Sequence, residues 1–360
     1  MSISTTGIRE PLHHEVVVRM CYSGICRSDA YFATGPLPGY PATNHIGGHE
    51  GIGQIVKAHR PELLGRYAGL RYLGLTCGSC AYCMDGLPTS CSHQINAPKQ
   101  ISGSFQEYLT APVDALVLLP DHLLQRAPDP AALCGALCSG AAALMAVRAA
   151  RLNAQSVVVV VGAGGAIGNY AATIAKNVFG AKVIGVDIES KIATLKAQDH
   201  QAYADVLLAA PADHADAETR AIFHHSLVES CTLVRSNKST QRAADAVIVA
   251  ASTAAAFRQL ERYVCDGGFI VCSGVPVGIH LSISIHDVVE RNLHLTGSLM
   301  GSHAVSLEVM RYMCDGVIQP MTTHITIDDI PEAMQKLVNC GGLGKMVAKI
   351  QEPLQFSRGV

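Results

Sequence analysis

The pattern of hydrophobic and polar positions changes near residue 155. Before that point, short apolar runs alternate with turn residues, which predicts strands of an irregular, mostly β domain. After it, uninterrupted apolar runs are separated by helical stretches, as in a parallel sheet covered by helices. The early strands are predicted at Glu15 to Met20, Gly51 to Ala58, Tyr67 to Gly74, Phe105 to Thr110 and Ala115 to Leu119, and the later ones at Ser156 to Val161, Lys182 to Val186, Asp245 to Ala250 and Gly268 to Ser273. The sequence therefore predicts the α/β class, with a mostly-β domain followed by a doubly wound domain over residues 155–295.

The final segment, from about Met300, is predicted to return to the first domain. It has helical patterns at Ala304 to Cys314 and Pro331 to Cys340, followed by a strand-like run from Lys345 to Ile350. The predicted domains are therefore residues 1–130, 131–298 and 299–360, with a metal-binding lobe at about residues 74–95. The polar segment Pro211 to Gln241 is predicted to form a helix and surface loops without chemistry.

One uncharged apolar stretch, Ala131 to Val147, approaches the length of a membrane span. Its many small residues make it weakly hydrophobic, and Arg148 and Arg151 end it early. A buried helix is therefore the favoured prediction.

Composition excludes several classes of partner. The chain of 360 residues is 49% hydrophobic and 16% charged, with a formal net charge of −2 and no long Lys/Arg cluster. Nucleic acid and anionic membranes are therefore not expected as main partners. The first ten residues have neither the apolar core of a signal peptide nor an Arg-rich amphipathic presequence, so we expect a cytoplasmic protein.

Four of the thirteen cysteines form the most specific motif in the chain. Cys77, Cys80, Cys83 and Cys91 have the spacing C-x2-C-x2-C-x7-C. Four thiolates on short loops suit a closed tetrahedral zinc site, which stabilises structure rather than performing chemistry. The alternative, a disulfide framework, fits poorly with a 360-residue chain without a recognisable signal peptide.

A glycine-rich turn follows the first strand of the doubly wound domain. Gly162, Gly164, Gly165 and Gly168 lie between Val157 to Val161 and a helical pattern from Asn169 to Phe179. Such a turn lets backbone amides and a helix N-terminus approach a pyrophosphate. Asp187 ends the next strand, where a carboxylate can bind the adenosine ribose hydroxyls and repel a 2′-phosphate, so NAD is favoured over NADP. A second turn, Gly274 to Gly278, places Val275 as a predicted wall for the nicotinamide.

A second set of metal-ligand types precedes the doubly wound domain. Cys26, His49 and Glu50 supply a thiolate, an imidazole and a carboxylate. A catalytic zinc has three protein ligands and an open position, so one more ligand is required. Cys134 and Cys138 are both candidates on sequence grounds.

Taken together, these motifs resemble the zinc-dependent medium-chain alcohol dehydrogenases, most closely the yeast-type members. The resemblance extends from about residue 15 to 350. The matching pieces, in order, are Gly24-Ile-Cys-Arg-Ser-Asp29, Gly47-Gly-His-Glu-Gly51, the four-cysteine lobe, Gly103-Ser-Phe-Gln106, Leu137-Cys-Ser-Gly140, the Gly162 turn, Asp187 and Gly297-Ser298.

The resemblance implies a GroES-like catalytic domain joined to a Rossmann domain, two zinc ions per chain, NAD, and an alcohol or aldehyde substrate. Cys26, His49 and Cys138 match the catalytic zinc ligands, and Glu50 matches a carboxylate that can exchange with the zinc-bound water. Ser28 matches the hydroxyl that passes the alcohol proton outward, and Arg27 matches a residue that meets the cofactor pyrophosphate. The family also forms dimers and tetramers through its cofactor domains, so we expect a homo-oligomer.

Three departures from the family pattern modify these expectations. Tyr31 replaces the histidine usual at the outer end of the proton relay, which could raise the pH optimum. The chain has no tryptophan; Ala33, Leu37 and Tyr72 take the usual tryptophan positions, which predicts a substrate bulkier than ethanol. About twenty family residues before Glu15 are also missing, which could leave strand edges unpaired and reduce activity.

Two alternatives to an NAD-dependent alcohol dehydrogenase are an NADPH-dependent reductase of the same superfamily and a catalytically silent structural or regulatory homologue. Asp187 and the full zinc set disfavour the first, and the intact metal and cofactor motifs disfavour the second.

Overall fold

The structure is a computed structural model that describes residues 3–35, 46–198, 202–235, 242–276 and 278–353. It divides into two compact units. The first comprises Met1–Cys138, Ser302–Asp315 and Thr322–Val360, and the second comprises Ser139–Gly301 and Gly316–Met321.

The strands in chain order are β1 (Glu15–Ile25), β2 (Glu50–Ala58), β3 (Tyr67–Arg71), β4 (Leu73–Leu75), β5 (Ile95–Asn96), β6 (Tyr108–Pro112), β7 (Leu116–Leu118), β8 (Val157–Val161), β9 (Lys182–Asp187), β10 (Val206–Ala209), β11 (Ala244–Val249), β12 (Val264–Cys272), β13 (His294–Gly297), β14 (Thr322–Thr326) and β15 (Lys345–Lys349). The α-helices are α1 (Arg27–Thr34), α2 (Ala81–Met84), α3 (Asp121–Arg126), α4 (Ser139–Ala149), α5 (Ala166–Asn177), α6 (Glu189–Lys196), α7 (Ala217–Val234), α8 (Ile285–Glu290), α9 (His303–Cys314) and α10 (Ile330–Val338).

The first unit is organised around a mainly antiparallel sheet in the order β14-β15-β1-β2-β3-β7, with β6 also paired to β1. Branched and aromatic residues favour the extended backbone of β1, which is almost wholly buried. Its Val16, Val18 and Met20 pack with Ile55 of β2 and Leu109 of β6 in one core cluster. Strand β1 is hydrogen-bonded on both sides, so the expected unpaired edge does not occur there.

The first unit extends to Cys138 rather than ending at residue 130. The 3-10 helix Ala131–Leu137 is buried and packs against β1, β2, β3 and β15 of this unit. The predicted single helix from Ala131 to Val147 is therefore wrong: the backbone breaks at Cys138, and Ala131–Leu137 meets α4 at a bend of 49°. Within the described ranges, no single helix has the length and apolarity to cross a membrane, although this bent pair together meets those two criteria.

The second unit contains a parallel sheet in the order β10-β9-β8-β11-β12-β13. All five valines of β8 are buried, as a strand covered on both faces requires. This strand order is that of dinucleotide-binding sheets, in which ligands bind where the order reverses, beside β8 and β11. The predicted α/β class with a doubly wound domain is confirmed. Strands β10 and β13 were not predicted.

Candidate active site

Cys26, His49, Glu50 and Cys138 form one cluster in the first unit. Each offers a ligand atom, and these four atoms all lie within 4.8 Å of one another. Cys26 precedes α1, His49 and Glu50 stand at the start of β2, and Cys138 occupies the break before α4. The imidazole and carboxylate are buried, whereas the two cysteines are partly exposed. Two thiolates, one imidazole and a nearby carboxylate are a donor set that fits Zn²⁺ with an open position.

Asp29 orients two members of this cluster. Its Oδ2 accepts a hydrogen bond from the backbone N–H of Cys26 at 2.8 Å, which caps α1. Its Oδ1 lies 2.8 Å from Nδ1 of His49. A carboxylate on Nδ1 leaves Nε2 of the imidazole for a metal and increases its basicity. Asp29 belongs to the Gly24–Asp29 motif, and its position three residues after Cys26 is a capping signal, but its contact with His49 was not predicted.

Lys345 forms a buried ion pair with Glu50. Its Nζ donates to Oε1 of Glu50 at 2.5 Å, and both side chains are almost fully excluded from solvent. Burial alone would lower the pKa of Lys345, but attraction to Glu50 outweighs it and the pKa is raised. For Glu50, burial dominates and raises the pKa to about 7, against the opposing effect of Lys345. No sequence signal identified Lys345, because it lies 295 positions from its partner.

The cluster is electrostatically suited to a cation. A hydrogen bond with Cys138 is the largest effect that lowers the pKa of Cys26, and the same contact raises the pKa of Cys138. Burial opposes protonation of His49, but Asp29 and the Cys26 thiolate outweigh it and raise its pKa. The local potential therefore favours a positive charge at the point where the ligand atoms converge.

Cys134, the other sequence candidate, does not join the cluster. It is fully buried, and desolvation raises the pKa of its thiol well above the ordinary value. Arg71 is a further buried group near Cys138 that was not predicted from the sequence, and burial lowers its pKa to about 10. The choice of Cys138 is thus supported by the geometry of the described residues.

Cys77, Cys80, Cys83 and Cys91 form a second ligand group in the first unit. Their sulfur atoms also lie within 4.8 Å of one another. Backbone N–H groups of Ser79 and Cys80 are the main reason that the pKa of Cys77 falls to about 5. Gly78 has φ +67°, a left-handed conformation that lets the short loop turn back between two ligands. Four converging sulfurs fit the predicted structural zinc.

A cavity of about 580 Å³ opens at the ends of β8, β9 and β11 in the second unit. Its lining includes Gly162, Asp187 and Ala251. Gly162 has φ +87°, and a Cβ there would lie 2.8 Å from the backbone nitrogen of Ala251, so only glycine fits. At Gly168 a Cβ would lie 2.0 Å from the carbonyl oxygen of Gly162, so this glycine lets α5 pack closely on the turn. The cavity and turn fit a dinucleotide.

The amides of the glycine-rich turn are largely used within the protein. Those of Gly162 and Gly165 donate to backbone carbonyls, and that of Gly164 donates to Oδ2 of Asp187 at 2.8 Å. Oδ1 of Asp187 accepts from the N–H of Ile188 at 2.8 Å. Donors for a phosphate must therefore come from the first turn of α5, residues 166–168, whose N–H groups have no acceptor within the helix.

The segment Pro211 to Gln241 was expected to carry no chemistry, but part of it lines this cavity. Arg220, Phe223 and His224 of α7 belong to the lining, and α7 packs against β9, whose last residues also line the cavity. Burial, then Arg262 and Arg220, lower the pKa of His224. The hydrophobic periodicity of α7 is weak, so the sequence did not predict this role. Residues 236–241 of the segment lie outside the described residues.

The remaining predicted site residues are placed as follows. Ser28 and Tyr31 are partly exposed on α1. The guanidinium of Arg27 lies 5.8 Å from the Tyr31 ring centroid and contacts the carbonyl of Val338 at 3.4 Å. Val275 follows β12 and is 45% exposed. Their roles toward proton transfer, pyrophosphate and nicotinamide remain predictions.

Comparison with known proteins gives a consistent result. The profile of the alcohol dehydrogenase GroES-like domain matches residues 13–121, and that of the zinc-binding dehydrogenase domain matches residues 166–313. Alcohol dehydrogenase 2 of Emericella nidulans is 29% identical over 343 residues, covering 92% of this chain and 88% of its own.

Solved structures with the same fold contain either NAD or NADP. An acetophenone reductase from Geotrichum candidum in complex with NAD has a TM-score of 0.72 at 22% identity, covering 95% of this chain and 91% of its own. A zinc-binding dehydrogenase from Sinorhizobium meliloti bound to NADP has a TM-score of 0.75 at 24% identity, covering 96% and 94%. The two domain matches, the ligand cluster and the dinucleotide-type sheet together show that the chain belongs to the zinc-type medium-chain dehydrogenase/reductase family.

Proposed function

We propose that this chain, a zinc-dependent alcohol oxidoreductase, transfers a hydride between NAD(H) and an alcohol, aldehyde or ketone that is bulkier than ethanol. The observation that carries this proposal is the convergence of Cys26, His49, Glu50 and Cys138 within 4.8 Å, separate from the four-cysteine group. One group with two thiolates, an imidazole and a nearby carboxylate, and a second group with four thiolates, match the difference between catalytic and structural zinc sites.

Cys26, His49 and Cys138 would hold the catalytic ion, and Cys77, Cys80, Cys83 and Cys91 the structural one. Bound at the first cluster, Zn²⁺ supplies Lewis acidity that lowers the pKa of the substrate hydroxyl or polarises its carbonyl. The chain's own residues hold this centre in place: Asp29 fixes the His49 ring, and Lys345 holds the Glu50 carboxylate.

Proton transfer is assigned to α1. Ser28 Oγ would accept the hydroxyl proton of the substrate while its own hydroxyl proton passes outward toward solvent, and the bound cofactor would take the hydride from the substrate carbon. Tyr31 stands at the outer position, and a phenol carries protons less readily at neutral pH than the imidazole usual in the family. Oxidation of alcohols should therefore be favoured at alkaline pH.

NAD is proposed as the cofactor because of Asp187. Its carboxylate stands at the cavity wall and is held by the N–H groups of Gly164 and Ile188. A fixed negative charge there can accept hydrogen bonds from ribose hydroxyls and repels a 2′-phosphate. Arg27 is proposed to meet the pyrophosphate and Val275 to contact the nicotinamide.

A substrate bulkier than ethanol is proposed because no indole narrows this site. The chain contains no tryptophan, Ala33 is exposed, and Tyr72 is partly exposed. Leu37, the third position in this prediction, lies outside the described residues. Smaller side chains leave more volume for substrate.

A homo-oligomer formed through the second unit is also proposed. Strand β13 is a terminal strand of its sheet among the described residues, and all of its residues are exposed. Leu295, Leu299 and Val289 are 43%, 51% and 65% exposed. An exposed edge strand with apolar side chains in and beside it is suited to pairing with a second copy. Light scattering coupled to size exclusion should give a dimer or tetramer, and Leu295→Asp should shift it toward monomer.

A cytoplasmic location is proposed because none of the thirteen cysteines is in a disulfide. Disulfides are rare in the reducing cytosol. Cell fractionation with an antibody against the chain tests this directly.

The experiment that tests the function is a panel of initial rates. Ethanol, cyclohexanol, benzyl alcohol and the matching carbonyl compounds are assayed with NAD(H) and NADP(H). We expect turnover of the larger substrates with NAD(H). A preference for NADPH would support the reductase alternative, and no turnover with two bound zinc ions would support a silent homologue.

A further inference from the structure

An aromatic pair lies against the metal ligand His49. The rings of Phe32 and Tyr72 are stacked with centroids 5.8 Å apart. Each also meets the His49 imidazole edge to face, at 6.5 and 6.0 Å. Phe32 is buried and Tyr72 is partly exposed, so the pair forms an apolar wall that leads from the imidazole toward solvent.

Lys99 places a positive charge on this wall. Its Nζ lies 5.7 Å from the Phe32 centroid and 5.7 Å from the Tyr72 centroid. Asn96 and Ala97, three and two residues before Lys99, are buried, which anchors the backbone from which the side chain extends. Attraction to the two ring faces therefore favours one position of the Lys99 ammonium over the many it could adopt in solvent.

In the described part of the chain, no carboxylate accepts a hydrogen bond from the Lys99 ammonium. The partly exposed Lys99 contacts the two rings, whereas Lys345, a buried cation near the cluster, is paired with Glu50. Ring faces accept hydrogen bonds weakly, so the three N–H groups of Lys99 remain suited to a stronger acceptor. A carboxylate brought to Nζ would form a charge-assisted hydrogen bond.

We propose that Lys99 recognises a carboxylate on the substrate, so that the enzyme selects alcohols and aldehydes whose flat apolar body carries an anionic group. The reacting carbon would lie at the Cys26, His49 and Cys138 cluster, the body along the Phe32 and Tyr72 wall, and the carboxylate at Lys99. This inference rests on the proposed function, since it names the substrate class of the same site.

The test compares two aldehydes that differ in charge and hardly in shape. Reduction of 4-carboxybenzaldehyde and of methyl 4-formylbenzoate is followed with NADH. In the natural protein kcat/KM should be at least about tenfold higher for the acid, the size expected of one charge-assisted hydrogen bond. Lys99→Met should bring the ratio to about one through a higher KM for the acid, and Lys99→Arg should keep most of the preference.

Lys57→Met, which removes an exposed lysine elsewhere in the first unit, is the matched control and should leave the ratio unchanged. Thermal unfolding of each variant verifies that it is folded. If the natural protein reduces both aldehydes equally, or Lys99→Met keeps the preference, the role of Lys99 is overturned while the proposed function stands. If neither aldehyde is reduced and the wider alcohol panel is also inactive, the proposed function fails and this inference with it.

Discussion

Lys345 and Glu50 form a buried ion pair beside the metal-ligand cluster, with Nζ 2.5 Å from Oε1. The pair joins β15 to the first residue of β2, so the last strand of the chain holds a carboxylate next to His49. Charges this deep in a protein are stable only together, because each compensates the desolvation of the other.

Lys345→Met should therefore be strongly destabilising. Removing one partner of a buried pair costs about 3–5 kcal/mol, because Glu50 would be left without compensation. Urea unfolding in zinc-containing buffer measures the change, and the double variant Lys345→Met/Glu50→Gln should recover a large part of it. Lys57→Met breaks an exposed pair with Glu10 and should cost about 1 kcal/mol or less. Equal effects of the two single variants would contradict this view of the buried pair.

Metal content should follow the two ligand groups. Elemental analysis of the purified natural chain should give about two zinc ions per chain. Cys138→Ala and Cys91→Ala should each lose one ion, because each removes a ligand from a different group. Cys231→Ala, which removes a buried thiol of the second unit, should keep both. If the natural chain held a single zinc ion, only the structural site would be supported and the prediction of a catalytic zinc would be contradicted.

Asp187→Ala should relax the choice of cofactor. The change removes the acceptor of the Gly164 and Ile188 amides and the negative charge at the cavity wall. We expect kcat/KM with NAD to fall about tenfold or more and the NADP to NAD ratio to rise. Asp205→Ala is the control, since Asp205 also accepts a backbone amide, from Val183, but does not line the cavity. An unchanged ratio in Asp187→Ala would remove the basis for NAD.

His303 should make stability depend on pH. Burial, and then the positive charge of Arg71, lower the pKa of this imidazole below its ordinary value of 6.5. Below that pH the unfolded chain binds a proton more readily than the folded one, so the free energy of unfolding decreases as the pH falls. His303→Gln should flatten this dependence by up to about 1.4 kcal/mol per pH unit.

Urea unfolding of both proteins between about pH 5 and 7 measures the difference in slope. The exposed His286→Gln serves as the comparison. Parallel curves for the natural protein and His303→Gln would show that the histidine does not contribute.

Local signals predicted much of this structure. The apolar run of β8, the glycine turn before α5 and the four-cysteine spacing each lie within one short segment, where period and side-chain chemistry suffice. Partners distant in sequence could not be found this way. Lys345 is an ordinary strand residue until β15 pairs with β1, and Lys99 acquires a role only when its loop reaches Phe32 and Tyr72.

Two further elements were not predicted correctly from the sequence, and tertiary packing is again the reason. The break at Cys138 interrupts an apolar stretch that reads as one helix, because packing of Ala131–Leu137 against the sheet overrides helical periodicity. Strand β13 has no buried residue among those described, so no hydrophobic alternation marks it.

The central claim is that Cys26, His49 and Cys138 hold a catalytic zinc, and the most direct measurement is the rate of benzyl alcohol oxidation with NAD by Cys138→Ala beside Cys134→Ala. Cys138→Ala should lose about a thousandfold or more in kcat, because Lewis-acid stabilisation of several kcal/mol is removed. Cys134→Ala, four residues away and outside the cluster, should stay within about tenfold of the natural protein. Natural activity in Cys138→Ala would contradict the claim.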